Sequence, residues 1–502
     1  MINPNESGLE GLFTMESEKT GIVEEPPFRM LVLGDWSGDA KKKPLLSRTP
    51  KVIDRDNFDA VMAGFGAKLD LDLNGESLPL TFSSMDDLHP DAIFQRLAVF
   101  SKMRELRRRL KDESTFASAA REVREKFGIA AEPQAVTEAA PEAAGETQPS
   151  EGLLDAILSH PSGGAAVKPG VSSDLGRLIG ELVRPHLVSV DEDEQSQMLG
   201  AVDNATGELM RRILHDRRFR EFEAAWRGLH LLVHRAETSN DLKIYILDVT
   251  KAELEADLKN AAALTDSLLY RHLVRDAVET PGADPWAVAL GNFAFEGNVE
   301  DVATLIRVGR IAAAANAPFI AHIRPDVLGL HSLSDFTGSA EIKPSADSTA
   351  VRLWEALRDQ PESVYLGMAM PRFLARLPYG KDTDPAETIA FEEVSDTPAH
   401  DDYVWTNPCF VAGLLLAESF SESGWKMGHA LKQDIEGLPV HIYKEGTETV
   451  FKPCAEVLLS QSASERMMGH GIMPLVSYKN SDKVKLARFQ SIADTALKGL
   501  WN

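Results

Sequence analysis

Apolar positions in this chain follow two alternating rhythms: short unbroken runs, and longer stretches at helical spacing. MLVLG (30–34) is an unbroken run of the kind that forms a buried strand, and it leads straight into the polar turn GDWSG (34–38). KVIDRDNFDAVMAGF (51–65) carries Phe58, Val61, Met62 and Phe65 at helical spacing after an acidic start, which predicts a helix. KLDLDL (68–73) and LPLTF (78–82) alternate as strands do, with NGES between them as a turn. In DAIFQRLAVFSKMRELRRRL (91–110), Ile93, Phe94, Leu97, Phe100, Met103, Leu106 and Leu110 keep one face apolar and predict a single long helix. Its other face carries RELRRRLK (104–111), read as a solvated surface in preference to a site for an acidic partner.

The pattern then lapses. Residues 128–152, GIAAEPQAVTEAAPEAAGETQPSEG, are dominated by Ala, Glu and Pro with almost no large apolar residue, the composition of a flexible linker. EGLLDAILSHP (151–161) is a short amphipathic island beyond it. ELMRRILHDRRFREFEAAWRGLHLLVHRA (208–236) predicts one long helix or a helix pair. Strands are then expected at 242–249, 287–295, 318–323, 363–370, 437–444 and 471–479, with helices at 301–317 and 410–423. This alternation argues an α/β (α+β layered) architecture.

Composition narrows the function. A formal net charge of −24 argues against nucleic acid and against an anionic membrane as main partners, because both reward clustered Lys and Arg. The two cysteines, Cys409 and Cys454, form no C-x-x-C pair, so a zinc knuckle is not indicated. No segment approaches the roughly 18–20 apolar residues that span a bilayer. The amino terminus has neither the basic start nor the apolar run of a signal peptide, and a cytoplasmic location is expected.

The chemical candidates are few. GDWSG has the outline of a phosphate-binding turn, but neither the Walker spacing nor G-x-G-x-x-G. The plainer account is a strand end closed by Asp35 and Ser37. MDDLHPD (85–91) gathers Asp86, Asp87, His89 and Asp91, residue types that hold divalent metals. The competing account gives Asp87 a helix cap, Pro90 the first turn and Asp91 the dipole. PRFLARLPYG (371–380) spaces Arg372 and Arg376 as on one helical turn, suited to clamping an anion or, more simply, to an ion-pair network. No HExxH or G-x-S-x-G occurs, so no enzyme class gathers two independent features; a nucleotide- or metal-dependent enzyme is the weakest reading, and no cofactor is expected.

Several stretches taken together resemble a known family. FRMLVLGDWSG, KVIDRDNFDAVM and FSSMDDLHPDAIFQRL resemble, in this order, the small sheath subunit of type VI secretion systems (TssB, also called VipA). EFEAAWRGLHLLV, LKIYILDVTKAEL, APFIAHIRPDVLGL, MPRFLARLPYGKDTDP, GLPVHIYK and GIMPLVSYKNSD resemble the large subunit (TssC, VipB). The chain is thus read as a fusion: a flexible arm at 1–26, a small-subunit-like domain at 27–127, a linker at 128–171 with a short helix at 151–160, and a large-subunit-like domain at 172–502. The resemblance implies a contractile tail-sheath-like fold and a structural role around an Hcp-type inner tube, beside a baseplate, with no catalysis. It marks as scaffold Gly34, Asp35, Gly38, Asp54, Arg55, Asp56, Asp87, His89, Pro90, Trp226, Arg227, Gly228, Arg372, Arg376, Pro378, Tyr379 and Gly380.

The same resemblance makes Leu12, Phe13, Thr14 and Met15 the candidate strand donated to a neighbouring subunit, with a plain tail as the other reading. It makes Leu153, Leu154, Asp155 and Ile157 the candidate recognition helix for a ClpV-like AAA+ unfoldase, with a helix packed on its own domain as the other. Large sheath subunits continue further after a PLVHYKN-like stretch than this chain does. A non-polymerising sheath-like accessory, such as a cap, terminator or baseplate-proximal component, is therefore a second expectation.

Overall fold

The structure, a computed structural model, describes residues 25–73, 76–127, 194–333 and 348–502. The candidate donated strand and the candidate unfoldase helix lie outside the described residues. Among the described residues there are fifteen strands: β1 (Phe28–Gly34), β2 (Lys51–Ile53), β3 (Lys68–Leu73), β4 (Glu76–Thr81), β5 (Leu242–Asp248), β6 (Val288–Phe295), β7 (Phe319–Ile323), β8 (Leu366–Met370), β9 (Phe373–Leu374), β10 (Trp405–Thr406), β11 (Asp434–Ile435), β12 (His441–Glu445), β13 (Glu448–Lys452), β14 (Ile472–Ser477) and β15 (Val484–Leu486).

Nine of them form one mixed sheet in the order β11-β15-β14-β8-β7-β6-β1-β5-β2. The inner strands β5, β1, β6, β7, β8 and β14 are parallel. β2 and β15 run antiparallel at either side. The molecule is α/β, with helices on both faces of the sheet.

β1 explains its own sequence. Phe28, Met30 and Val32 face one core, and Leu31 and Leu33 face the other. A strand covered on both faces needs no polar alternation, so it reads as an unbroken apolar run. Each such side chain gains on the order of 1.5–3 kcal/mol by leaving water. β1 lies between β5 and β6, in register Phe28↔Leu242 and Met30↔Val288. The first and second parts of the chain therefore share one sheet. The helix Cys409–Ser423 is apolar all round from Cys409 to Ala417, and that part lies in the first core. Its Gly413 allows close approach, since a Cβ there would stand 2.4 Å from Leu290. Helices Val299–Ala315 and Lys251–Asn260 cover the other face.

Several expected elements are cut differently. The 51–65 stretch is β2 followed by helix Phe58–Phe65, because Asp54 closes an Asx turn on the amides of Asp56 and Asn57 (3.0 and 2.9 Å). The expected long helix is two, Pro90–Arg96 and Ser101–Lys111, broken at Leu97, whose ψ of 133° is extended. The Arg104 guanidinium donates to the Phe94 and Leu97 carbonyls at the break, where Leu97 also accepts from the Phe100 amide at 3.2 Å. The apolar face survives the break, and every residue assigned to it is buried. The 208–236 stretch belongs to a pair, Glu194–Leu214 and Arg217–Arg235, with Asp216 capping the second through the amides of Arg218 and Phe219. The expected strand at 437–444 is the β12 arm of a hairpin with β13. Arg372 and Arg376 do not share a helical turn; they flank the short strand β9.

The RELRRRLK surface is largely engaged within the chain. Arg107 pairs with Asp203 on helix 194–214 at 2.6 Å, and Arg109 with Glu122. Cys409 and Cys454 are both free and buried.

Candidate functional site

At the end of β1 the chain turns through Asp35, Trp36, Ser37 and Gly38. The donors that would cradle a phosphate are already engaged. Asp248, at the end of β5, accepts from the Trp36 amide (2.9 Å), the Ser37 amide (3.3 Å) and the Ser37 hydroxyl (2.7 Å). Asp35 accepts from the Gly38 amide (3.0 Å) and the Lys42 ammonium (2.6 Å). Gly38 sits at φ +60°, and a Cβ there would lie 2.3 Å from the Lys68 carbonyl, so only glycine fits. Over Gly34 lies the Trp36 ring, and the Trp226 indole donates to the Trp36 carbonyl at 3.2 Å. The turn thus locks helix 217–235 to the β1 end.

A second junction is a buried ion network. The Arg376 guanidinium donates to Glu223 (2.6 and 3.1 Å) and to Glu393 (2.6 and 2.9 Å). Arg227 donates to Glu223 (2.7 Å) and to the Tyr379 hydroxyl (2.7 Å). The Tyr379 amide donates to Glu393 at 2.8 Å, and its hydroxyl meets the Leu88 carbonyl at 3.5 Å. Burial alone would raise both carboxyls, but the facing guanidinium of Arg376 outweighs it. Glu393, with His215 also beside it, is brought down to about 2, and Glu223 is lowered as well. Burial pushes the Tyr379 hydroxyl up. Glycine is again required nearby: a Cβ on Gly228 would stand 2.3 Å from the Phe410 ring, whereas one on Gly380 would meet only the mobile end of the exposed Glu392 side chain.

The remaining candidates are structural in geometry. Arg372 clamps Glu456 at 2.5–2.9 Å. Arg55 donates to the His234 carbonyl at 2.6 Å, and the Pro378 carbonyl accepts from Thr383 at 2.5 Å. Asp56 serves in the Asx turn through its amide. Within MDDLHPD the side chains diverge. Asp87 accepts from Ser83 and Ser84 and pairs with Arg96, His89 caps helix 90–96 ahead of Pro90, and Asp91 holds the Glu387 and Thr388 amides at 2.9 Å. The cap assigned to Asp87 thus falls to His89. Among the described residues no group of three or more His, Cys, Asp or Glu is placed to hold a metal.

One cavity of about 530 Å³ opens at the carboxyl ends of the parallel strands, the position where α/β sheets commonly hold ligands. Its cations are already engaged: Arg218 with Asp39, Lys251 with Asp301 at 2.6 Å, Arg324 with Glu296 at 3.3 Å and Arg372 with Glu456. The cavity walls are thus internally neutralised pairs.

Reading the sequence missed Asp248, Glu223, Glu393 and the Arg48–Glu253 clamp (2.6 and 2.8 Å). The clamp carried a local signal. Thr250 and Glu253 form the T-x-x-E pattern of a capping box, and they do cap helix 251–260. Glu223 also stands four residues before Arg227 on its helix, the spacing of a helical ion pair; Asp248 and Glu393 act on residues farther away along the chain and leave no local mark.

The architecture is thus a mixed α/β sheet whose two contributing parts are locked together by buried side chains. Residues 196–493 match the family described as EvpB/VC_A0108, tail sheath N-terminal domain, and residues 13–136 match the one described as type VI secretion system, VipA, VC_A0107 or Hcp2. The chain belongs to the EvpB/VC_A0108 tail sheath family, fused behind a VipA part. A relative, the type VI secretion system sheath protein TssC1 of Pseudomonas aeruginosa (strain PAO1), is 32% identical over 305 residues, 60% of this chain. The match spans 61% of that protein's length. Among the described residues, no helix is long and apolar enough to cross a membrane.

Proposed function

We propose that this chain is a structural subunit of a type VI secretion-like contractile sheath, surrounding an inner tube and driving its ejection, and that it performs no catalysis. The observation that carries the reading is the shared sheet: β1, from the VipA part, is buried between β5 and β6 of the sheath part. Together the two parts make one rigid building block, which suits a lattice that moves by changing contacts between subunits and leaves their cores intact. Its partners are other sheath chains, either copies of itself or a full-length large subunit, together with an Hcp-like tube, a baseplate and a ClpV-like unfoldase reading Leu153, Leu154, Asp155 and Ile157. Leu12 to Met15 supply a strand to a neighbour. Work takes place in the cytoplasm, with residues 27–127 and 172–502 as the two ancestral domains and 128–171 as their join.

The test is to purify the full chain, image it by negative-stain electron microscopy and measure its mass by light scattering. Long tubes or stacked rings are expected. A discrete monomer at every concentration would sink the self-assembling reading and leave the accessory role, a chain that acts only on the end of another sheath.

A further inference from the structure

We propose that the open face of the β12–β13 hairpin docks the acidic strap of a second copy of this chain, residues 381–402. The proposal rests on the assembly reading above and names one of its contacts.

Among the described residues, β12 and β13 pair only with each other. One face of the hairpin is occupied. His441 meets the Tyr403 hydroxyl at 2.8 Å, and the Lys452 ammonium stands 4.8 Å from the Tyr403 ring and 5.7 Å from the Trp405 ring. Side chains alternate between faces along a strand. Ile442, Phe451, Lys444 and Thr449, paired as Ile442↔Phe451 and Lys444↔Thr449, therefore lie on the opposite face. That face is not covered. Ile442 is 53% exposed on it, and Leu458, which shares a hollow with Phe451, is 40% exposed. A hollow of about 350 Å³ is lined by Val440, Phe451, Leu458 and Lys479. Lys479 in this lining and Lys444, exposed on the same strand face as Phe451, form a lysine rim to its apolar floor, in a chain whose net charge is −24.

The complementary surface is on the same molecule. From Lys381 to Ala399 the chain has no helix and hardly any strand, yet it is tightly held: Asp91 fixes the Glu387 and Thr388 amides, and Ile389 and Phe391 are buried. Long irregular segments that stay ordered usually have a use. This one presents Asp382, Asp384, Glu387, Glu392, Asp396 and Asp401 to solvent against the single ammonium of Lys381. A preordered strap loses little entropy on docking. Within one chain the strap ends at Tyr403 and Trp405, on the occupied side of the hairpin, so the open face is left for another copy. Joining two different patches gives a heterologous contact, which propagates from copy to copy.

The experiment is sedimentation velocity on the full chain over a series of salt concentrations. Reversing the rim (Lys444→Glu with Lys479→Glu), or reversing the strap (Asp382→Lys, Glu387→Lys and Asp396→Lys), is expected to weaken association by about tenfold or more. A chain carrying both reversals restores opposite charges and is expected to recover the wild-type affinity. Ile442→Ala is expected to weaken association without changing its salt dependence. Unchanged association in both reversed chains, or no recovery in the doubly reversed chain, would overturn the contact while leaving the assembly reading intact. A wild-type chain that is monomeric throughout would overturn both.

Discussion

Arg376 is the side chain on which most of the buried polar structure depends. It faces two carboxylates that water cannot reach. Replacing it with Ala leaves Glu223 with Arg227 and Glu393 with only His215 and the Tyr379 amide, and breaking a buried pair of this kind costs roughly 3–5 kcal/mol. Thermal unfolding should fall by several degrees or the chain should fail to accumulate; an unchanged melting temperature would contradict the network. The same cluster sets a response to acid. Glu393 is held at about 2 against an ordinary value of 4.5. Its contribution to stability is therefore fully present above 4.5 and is lost as the pH falls from there toward 2. The stability gap between wild type and Glu393→Gln should narrow through that window, as followed by melting temperature against pH, and a constant gap would show that the carboxylate is not held low.

At the scale of elements, the arrangement around β1 makes the two parts of the chain interdependent. A sheath part expressed without residues 1–127 would present the bare edges of β5 and β6, a ready site for wrong pairing. It should be insoluble alone and should become soluble, and co-purify, when 1–127 is supplied as a second chain. Recovery of a soluble, monodisperse sheath part by itself would count against the shared sheet. What the sequence disclosed at this scale follows from the range of the forces involved. β1, β5 and the helix 409–423 were legible because burial on every side writes an apolar run into the local sequence. The break at Leu97 was not, since its apolar stripe continues across it and the compensating bonds come from Arg104, on the next helix. The β13 arm of the hairpin was missed because ETVFK is half-polar, and its partners Tyr403 and Trp405 lie far back in the chain. At the site, the glycine and arginine motifs were visible as residues. Their roles were not, because Asp248 and Glu393 reach them only after folding.

For the molecule as a whole, the position of β1 has a consequence in time. Among the described residues it is the first strand made, yet Asp248, which locks its terminal turn, follows Trp36 by 212 residues. At about 5–20 residues per second of synthesis, β1 stands without its neighbours for on the order of 10–40 s. During that interval a largely apolar segment is outside the ribosome with neither flanking strand in existence. Two separate chains would lengthen the wait by a diffusional search, whereas a single chain caps it at the duration of its own translation. Elongation speed between codons 34 and 248 therefore becomes a determinant of yield, independent of how stable the finished sheet is.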